Sequence, residues 1–305
     1  IYGTPLVNEE VHRDKTDFPE NEEDQQIHRH EDAQHTHLKE EEEHHIGFDF
    51  LFHTERSQNR QRGQQGGEQN HAQRNAVNAD VKIGIDAAEL LAKLGYKVLM
   101  QAHEESGRSA ISKGFLDNAK EVIDKNITIF KEIISEETPL IGIEPSAILT
   151  FRDEYIRLAD DVNSAKIIAK NTFTIEEFLQ NEFEKGNIRT NQFTTEKKSI
   201  KIHGHCHQKA LSSTQATFSI LNIPENYSPT IMNTGCCGMA GSFGYEKEHY
   251  KISMQVGEDT LFPKIRNTSK ETEIIASGTS CRHQILDGTN RCAKHPITVL
   301  REALI

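Results

Sequence analysis

The chain has few apolar residues for its length and no long apolar run. Hydrophobic residues occupy 35% of its 305 positions, and no stretch of about 18 or more is apolar, which excludes a membrane-spanning helix. Basic residues are also scarce, with 35 lysines and arginines against 47 acidic residues and a formal net charge of −12. Since nucleic-acid affinity depends on neutralising phosphates, this balance argues against nucleic acid as a main partner.

Cysteine is equally scarce, with five in the whole chain. An odd number without a disulfide-like spacing is typical of a reducing compartment, where clustered thiols bind metals or carry out redox chemistry. No signal-peptide pattern is present. We therefore predict a cytoplasmic protein, with a peripheral position at the inner face of the membrane as the alternative. The chain starts with Ile1 rather than methionine, so we expect a fragment of a longer protein.

The first 80 residues differ in composition from the rest. Acidic residues and glutamines dominate there, and nine of the 16 histidines belong to this segment. Such a sequence cannot bury enough apolar surface to offset the entropy lost on ordering, so we predict a disordered polar tail over residues 1–80. A short apolar stretch within it, IGFDFLF, has no assigned role.

From residue 81 onward, helical and strand patterns alternate. The stretch VKIGIDAAELLAKLGYKVLM predicts a helix that ends at Gly95 and a strand after it. The same alternation resumes near residue 197, which predicts an α/β fold with parallel sheets and covering helices. We divide it into a first repeat at 81–160, a helical linker at 161–196 with a capping box of Thr174 and Glu177, and a second repeat at 197–305.

An internal repeat supports two pseudo-repeated halves. HEESGRSAISKGF overlays TGCCGMAGSFGYE when Gly107 is matched to Gly238, and EPSAILTF overlays GTSCRHQI. Glu105 and Ser106 then occupy the positions at which the second half has its cysteine pair. The first half is therefore predicted to keep the frame of the second without its thiols.

Four cysteines follow the carboxyl ends of predicted strands, where open α/β sheets bind their ligands. They form a C-x29-CC-x43-C pattern made of Cys206, Cys236, Cys237 and Cys281. Four thiolates suit either zinc or an iron–sulfur cluster. The spacing differs from the close ligand pairs of structural zinc sites, and the glycines of GCCGMAGSFG leave room for a bulkier group, so we favour the cluster. We interpret Cys292 as a core or spare cysteine.

Histidines, glycines and cations accompany these cysteines. If the strand continues through HGHCHQ, alternation places two histidines on the face opposite Cys206. We interpret His203 as a satisfied structural histidine, and Lys209 as a cation that counters the charge of a thiolate-bound cluster. Six further residues are predicted to surround the centre or, for the histidines, to serve as occasional ligands: His205, His207, Gly235, Gly238, Arg282 and His283.

The motifs together resemble a known domain. HGHCHQKAL, TGCCGMAGSFGYEKEHY, GTSCRHQILDGT and HPITVLREAL are similar to the cysteine-rich CCG domain of heterodisulfide reductase B subunits, glycolate oxidase iron–sulfur subunits and anaerobic glycerol-3-phosphate dehydrogenase C subunits. The closest similarity is to the C-terminal part of FAD-linked oxidases of the D-lactate dehydrogenase type. ESGRSAISKGFL and TPLIGIEPSAILTFRDEY extend the resemblance over roughly residues 80–305.

The resemblance implies an iron–sulfur protein that relays electrons from a flavin-dependent 2-hydroxy-acid oxidase to a quinone or other acceptor. The four cysteines match the family's cluster ligands, so one [4Fe–4S] cluster is implied, with FAD on a missing domain or on a flavoprotein partner. Two alternatives stay open: a thiol/disulfide oxidoreductase similar to heterodisulfide reductase, and a non-catalytic remnant holding zinc or no metal. Gln284 stands where heterodisulfide reductases have a further cysteine, which argues against the first.

Overall fold

The computed structural model describes residues 45–49 and 81–305. The predicted disordered tail, residues 1–80, therefore lies outside the described residues except for His45–Asp49, which form strand β1. The sequence did not predict this strand. It lies between two strands of the sheet and forms parallel backbone hydrogen bonds with both. Its place in the sheet therefore depends on segments distant in sequence rather than on its own apolar pattern.

Eight strands are described. In chain order they are β1 (His45–Asp49), β2 (Lys97–Met100), β3 (Leu140–Gly142), β4 (Thr172–Thr174), β5 (Lys198–His203), β6 (Tyr227–Ile231), β7 (Glu273–Ala276) and β8 (Ala293–Lys294).

The described helices connect these strands. They are α1 (residues 81–93), α2 (Arg108–Ser112), α3 (Leu116–Phe130), α4 (Pro145–Ile148), α5 (Glu154–Leu158), α6 (Val162–Lys170), α7 (Ile175–Glu184), α8 (Cys206–Leu211), α9 (Thr214–Leu221), α10 (Tyr250–Arg266), α11 (Thr279–Thr289) and α12 (Pro296–Ala303).

The strands form two four-stranded sheets of the same topology. The first has the order β2-β1-β3-β4 and the second the order β6-β5-β7-β8, and every pairing in both is parallel. Gly107 and Gly238, matched by the sequence overlay, both adopt positive φ angles, 78° and 99°. The predicted α/β class with two pseudo-repeated parallel halves is therefore confirmed.

Local signals placed several element boundaries correctly. Helix α1 buries Leu90 and Leu91, and the chain turns at Gly95, whose φ is 93°. The predicted capping box is present at the start of α7, where Thr174 Oγ1 accepts the Glu177 N–H and the Glu177 carboxylate accepts the Thr174 N–H.

Two segments differ in detail from the expectation. The stretch 161–196 contains α6 and α7, but between them strand β4 pairs with β3 and joins the first sheet. The division into domains stays a prediction. The strand expected over TIMNT ends at Ile231, because the Thr234 N–H turns back to the Met232 carbonyl at 2.9 Å.

One hydrophobic cluster contains residues of both sheets. Leu90 and Leu91 of α1 pack in one cluster with Ile141 of β3 and with Ile200 and Ile275 of the second sheet. A separate cluster in the second half contains two of the cysteines. Within the described ranges, none of the helices has the length and apolar character needed to cross a membrane.

Candidate metal centre

Three neighbouring strands of the second sheet direct the four cysteines to one edge. Cys206 begins α8 just after β5, the Cys236–Cys237 pair follows β6, and Cys281 lies in the first turn of α11 after β7. Since β5 lies between β6 and β7, the three loops meet at the carboxyl edge of the sheet.

The side chains of these cysteines interact with one another. Cys236 interacts with the thiols of Cys206 and Cys237, and Cys237 also interacts with Cys281. Cys237 and Cys281 are buried, with 4% and 1% of their surface exposed, whereas Cys206 is exposed. The sulfur group therefore extends from the apolar core to the surface.

These interactions shift the pKa values of the four thiols in opposite directions. The thiols of Cys206 and Cys237 hold the pKa of Cys236 far below its usual value, and the Cys237 thiol lowers the pKa of Cys281 although burial opposes this. The same interactions, with burial, raise the pKa values of Cys206 and Cys237. A metal bound by the four sulfurs would displace the protons that remain on them.

His203 lies beside the buried sulfurs. A ring nitrogen of His203 and the sulfurs of Cys237 and Cys281 all lie within 4.8 Å of one another. Its Nδ1 is 2.8 Å from the Thr234 hydroxyl, whereas its buried Nε2 has no hydrogen-bond partner in the described part of the chain. The interpretation of His203 as a satisfied histidine therefore holds at Nδ1. At Nε2 no hydrogen bond is formed with any residue that the structure describes, although the interaction with this ring helps to lower the pKa of Cys281.

His205 and His207 occupy different surroundings from those expected. Strand β5 ends at His203, so strand alternation does not place them. His205 instead precedes α8 and accepts the His207 N–H at Nδ1, and the two rings stack 5.8 Å apart. Burial, with smaller contributions from the positive charges of Arg108 and His205, lowers the pKa of His207 to about 4.

The His205 ring also fixes the distance between two loops. A Cβ atom on Gly278 would lie 2.3 Å from His205 Cδ2, so the loop before α11 approaches the ring too closely for any side chain. His205 is thereby a spacer between the loop of Cys206 and the loop of Cys281.

The cysteine-pair loop depends on Gly238. Its φ of +99° is unfavourable for other residues, and a Cβ there would lie 2.1 Å from the Ser253 carbonyl oxygen. Its N–H donates to the Cys236 sulfur at 3.3 Å. Gly235 has another function: its N–H donates to Thr260 Oγ1 at 2.8 Å and attaches the loop to α10.

The two predicted cations, Arg282 and Lys209, form hydrogen bonds with the loops that carry the cysteines. Arg282 donates to the Ser277 carbonyl at 2.5 Å and to Thr279 Oγ1 at 2.9 Å, across the turn that precedes Cys281. Lys209 donates to the Thr234 carbonyl at 2.8 Å, just before the cysteine pair. Both cations therefore hold backbone in the loops that carry the sulfurs.

Two other predicted positions have structural partners. His283 Nδ1 lies 2.6 Å from the Tyr245 hydroxyl, which joins α11 to the short 3-10 turn Phe243–Tyr245. Gln284, where a further cysteine was considered, is buried and donates to the Ser253 carbonyl and hydroxyl at 3.1 and 2.9 Å. Its amide nitrogen is thus engaged in joining α11 to α10. Cys292 is exposed, so it is not a core residue.

Sequence analysis missed a carboxylate from the first half. Glu144 follows β3, and its Oε2 accepts the Thr279 N–H at 2.8 Å, while Oε1 accepts the Ser146 hydroxyl at 2.9 Å. Burial by itself raises the pKa of Glu144, but electrostatic interaction with His205 and the Thr279 hydrogen bond outweigh it and lower the pKa. No local pattern in EPSAIL marks this contact across 135 residues.

A second carboxyl group is buried behind the same loop. Glu176 in α7 is fully buried and accepts the Ser277 hydroxyl at 2.5 Å. Burial raises its pKa, which favours the protonated form. Ser277 directly follows β7 and precedes the turn that carries Cys281, so α7 of the preceding segment also supports the site.

Several known proteins are similar in sequence to most of this chain, although no family model matches the chain. D-2-hydroxyglutarate dehydrogenase of Pantoea ananatis (strain AJ13355) is 26% identical over 231 residues, which cover 74% of the chain and 21% of that protein. The Escherichia coli (strain K12) protein of the same name is 24% identical over 229 residues, with 74% and 21% covered. The C subunit of the anaerobic glycerol-3-phosphate dehydrogenase of Escherichia coli (strain K12) is 26% identical over 226 residues, with 73% and 55% covered.

The chain is homologous to these dehydrogenases. The resemblance inferred from the cysteine motifs is confirmed, since the glycerol-3-phosphate dehydrogenase C subunit is one of the proteins that the motifs indicated. The chain spans about one fifth of the length of the D-2-hydroxyglutarate dehydrogenases and about half of the C subunit.

Proposed function

We propose that the chain holds an iron–sulfur cluster and relays electrons within a flavin-dependent 2-hydroxy-acid dehydrogenase. The observation that carries this proposal is the convergence of the four cysteine sulfurs, Cys206, Cys236, Cys237 and Cys281, on one sheet edge. Homology to dehydrogenases supports a role in substrate oxidation by the larger assembly.

The residues present suit a cluster. Thiolates are the usual ligands of iron–sulfur clusters, and four cysteine side chains interact with one another at this sheet edge. A bound cluster would accept and donate electrons one at a time. The protein would set the reduction potential through the Gly238 N–H on the Cys236 sulfur and through the burial of Cys237 and Cys281.

The relay requires an electron source and an acceptor. We propose that FAD is bound by another domain or by a partner flavoprotein, because the relatives are dehydrogenases several times longer than the matched region or are named as subunits. The acceptor would be a quinone or another carrier, and the protein would work in the cytoplasm at the inner face of the membrane. D-2-hydroxyglutarate, D-lactate and glycolate belong to the substrate class we propose for the assembly.

A mononuclear metal site is the second candidate. The ring nitrogen of His203 and the sulfurs of Cys237 and Cys281 lie within 4.8 Å of one another, which is compact enough for a single tetrahedral ion such as zinc. Such a site would be structural and would carry no electrons.

Metal analysis separates the two candidates. The full chain is purified anaerobically, reconstituted with iron and sulfide in the presence of zinc, and assayed for all three, with an EPR spectrum of the reduced sample. We expect about four irons and four sulfides per chain and a paramagnetic signal on reduction. Cys236→Ser should lose most of the iron, because it removes the sulfur that contacts both Cys206 and Cys237.

The matched control is Cys292→Ser, which removes an exposed thiol that lies outside the sulfur group. It should bind as much iron and sulfide as the wild type. Zinc without sulfide in the wild type would replace the relay by the structural metal site, and equal iron loss in both variants would show that the thiols bind iron nonspecifically.

A further inference from the structure

We propose that His203 is a nitrogen ligand of the metal centre, binding through Nε2 beside the sulfurs of Cys237 and Cys281. This inference rests on the proposed function and names one more residue of the same site. Sequence reasoning assigned the ligands to the cysteines, with His205, His207 and His283 as occasional ligands, and left His203 out, and the additional cysteine position is taken by Gln284.

The surroundings of His203 favour a ligand role. The side chain is 1% exposed, and a buried ring nitrogen without a partner is costly. Nε2 is such an atom within the described residues. Since a nitrogen of this ring lies within 4.8 Å of both buried sulfurs, a metal held by them would supply the missing partner.

The other ring nitrogen fixes the orientation required for binding. Nδ1 lies 2.8 Å from the Thr234 hydroxyl, and in the tautomer in which Nδ1–H donates, Nε2 carries a lone pair. Ligating histidines commonly hold their second nitrogen in this way. Thr234 is itself held, because Lys209 donates to its carbonyl at 2.8 Å. The ring is thus attached to the loop that carries Cys236 and Cys237.

Imidazole would change the properties of the centre. A neutral nitrogen ligand adds no negative charge, unlike a thiolate, and iron–sulfur centres with histidine ligands have higher reduction potentials than their all-cysteine counterparts. We therefore expect the relay to accept electrons more readily than an all-thiolate cluster would. Replacing His203 by cysteine should lower the potential if the variant is loaded with iron.

The test detects nitrogen on the metal directly. The full chain is produced with 15N-histidine, loaded anaerobically with iron and sulfide, reduced, and examined by electron–nuclear double resonance. We expect a 15N coupling in the wild type that is lost in His203→Ala and retained in His205→Ala, His207→Ala and His283→Ala. Thr234→Val should weaken metal binding about 10–100-fold, whereas Thr234→Ser, which keeps the hydroxyl, should retain it.

The outcomes separate this inference from the electron relay. An iron-loaded wild type without 15N coupling, or a coupling that persists in His203→Ala, overturns the ligand role and leaves the relay in place. A wild type that takes up no iron overturns both. If His203→Ala does not fold, the wild-type spectrum still decides whether a histidine binds, and loss of the coupling in one of the other three variants assigns it elsewhere and overturns the inference.

Discussion

At the scale of single residues, His295 shows how burial controls a titratable group outside the metal centre. It precedes α12, where its Nδ1 accepts the Ile297 N–H at 3.2 Å and its Nε2 lies 3.0 Å from the Ile143 carbonyl. A neutral ring satisfies both contacts. Burial, reinforced by the charge of Arg282, lowers its pKa from 6.5 to about 3.

This pKa predicts an acid-dependent loss of stability. Between pH 6.5 and about 3 the unfolded chain binds a proton that folded His295 does not, so the free energy of unfolding should fall by about 1.4 kcal/mol per pH unit on acidification. Above pH 6.5 His295 should not contribute to the pH dependence of the free energy of unfolding. His295→Asn keeps a hydrogen-bond acceptor at the start of α12 and should reduce the dependence of the free energy of unfolding on pH in this range. Urea unfolding of the metal-free chain at about pH 4, 5, 6 and 7 measures this free energy.

The wild type, unfolded in the same urea series, is the reference. Identical slopes for the wild type and His295→Asn would contradict the assignment.

At the scale of elements, the start of α11 depends on the first half of the chain. The N-cap residue, Gly278, has no side chain to accept the free N–H groups, and Glu144 accepts that of Thr279 instead. A negative charge is also favourable near a helix N-terminus. Because Cys281 lies in this first turn, the carboxylate of one repeat positions a sulfur of the other.

Glu144→Gln should therefore destabilise the protein at neutral pH by about 1–3 kcal/mol, because an amide cannot replace the charge beside His205 and Arg282. The pKa of Glu144 lies below 4.5 in the folded chain, so the carboxylate stabilises the protein above that pH and the effect is lost as pH falls through the lowered value. Chemical denaturation at about pH 7 and pH 3 measures both. Glu136→Gln, an exposed neighbour in sequence, is the control, and an equal effect of the two variants would exclude the capping role.

Element boundaries were predictable where the signal was local. Thr174 and Glu177 lie three residues apart, so their capping box could be read from the sequence. Glu144 and Thr279 are 135 residues apart, and neither carries a local sign of the other. Strand β1 is a similar case, since its position between β2 and β3 depends on pairing with distant segments.

At the scale of the whole molecule, the two halves share one core. Side chains of α1 and α7, such as Leu90, Leu91, Phe178 and Leu179, pack in the same cluster as residues of the second sheet. Each buried apolar side chain of this size contributes about 1.5–3 kcal/mol, and single domains are stable by only about 5–15 kcal/mol. The second half therefore depends on the first for stability.

We expect residues 197–305, produced alone, not to unfold cooperatively. Removing the first half would expose the apolar side of the second sheet, so the fragment should show a broad thermal transition by circular dichroism and poor amide dispersion by NMR. The full chain, treated identically, is the reference. A cooperative melt of the fragment at the temperature of the full chain would show that the shared core is dispensable.

The sequence by itself determined the α/β class, the repeat and the cysteine positions, because apolar periodicity, glycine turns and residues at strand ends are properties of short segments. Only the tertiary structure decided what surrounds those cysteines. Three features depend on the directions of side chains from distant segments of the described chain: the His203 nitrogen without a hydrogen bond, the hydrogen bond from Thr279 to Glu144, and the hydrogen bond from Gln284 to Ser253. Such directions are fixed by packing across a shared core, and no local pattern in the chain encodes them.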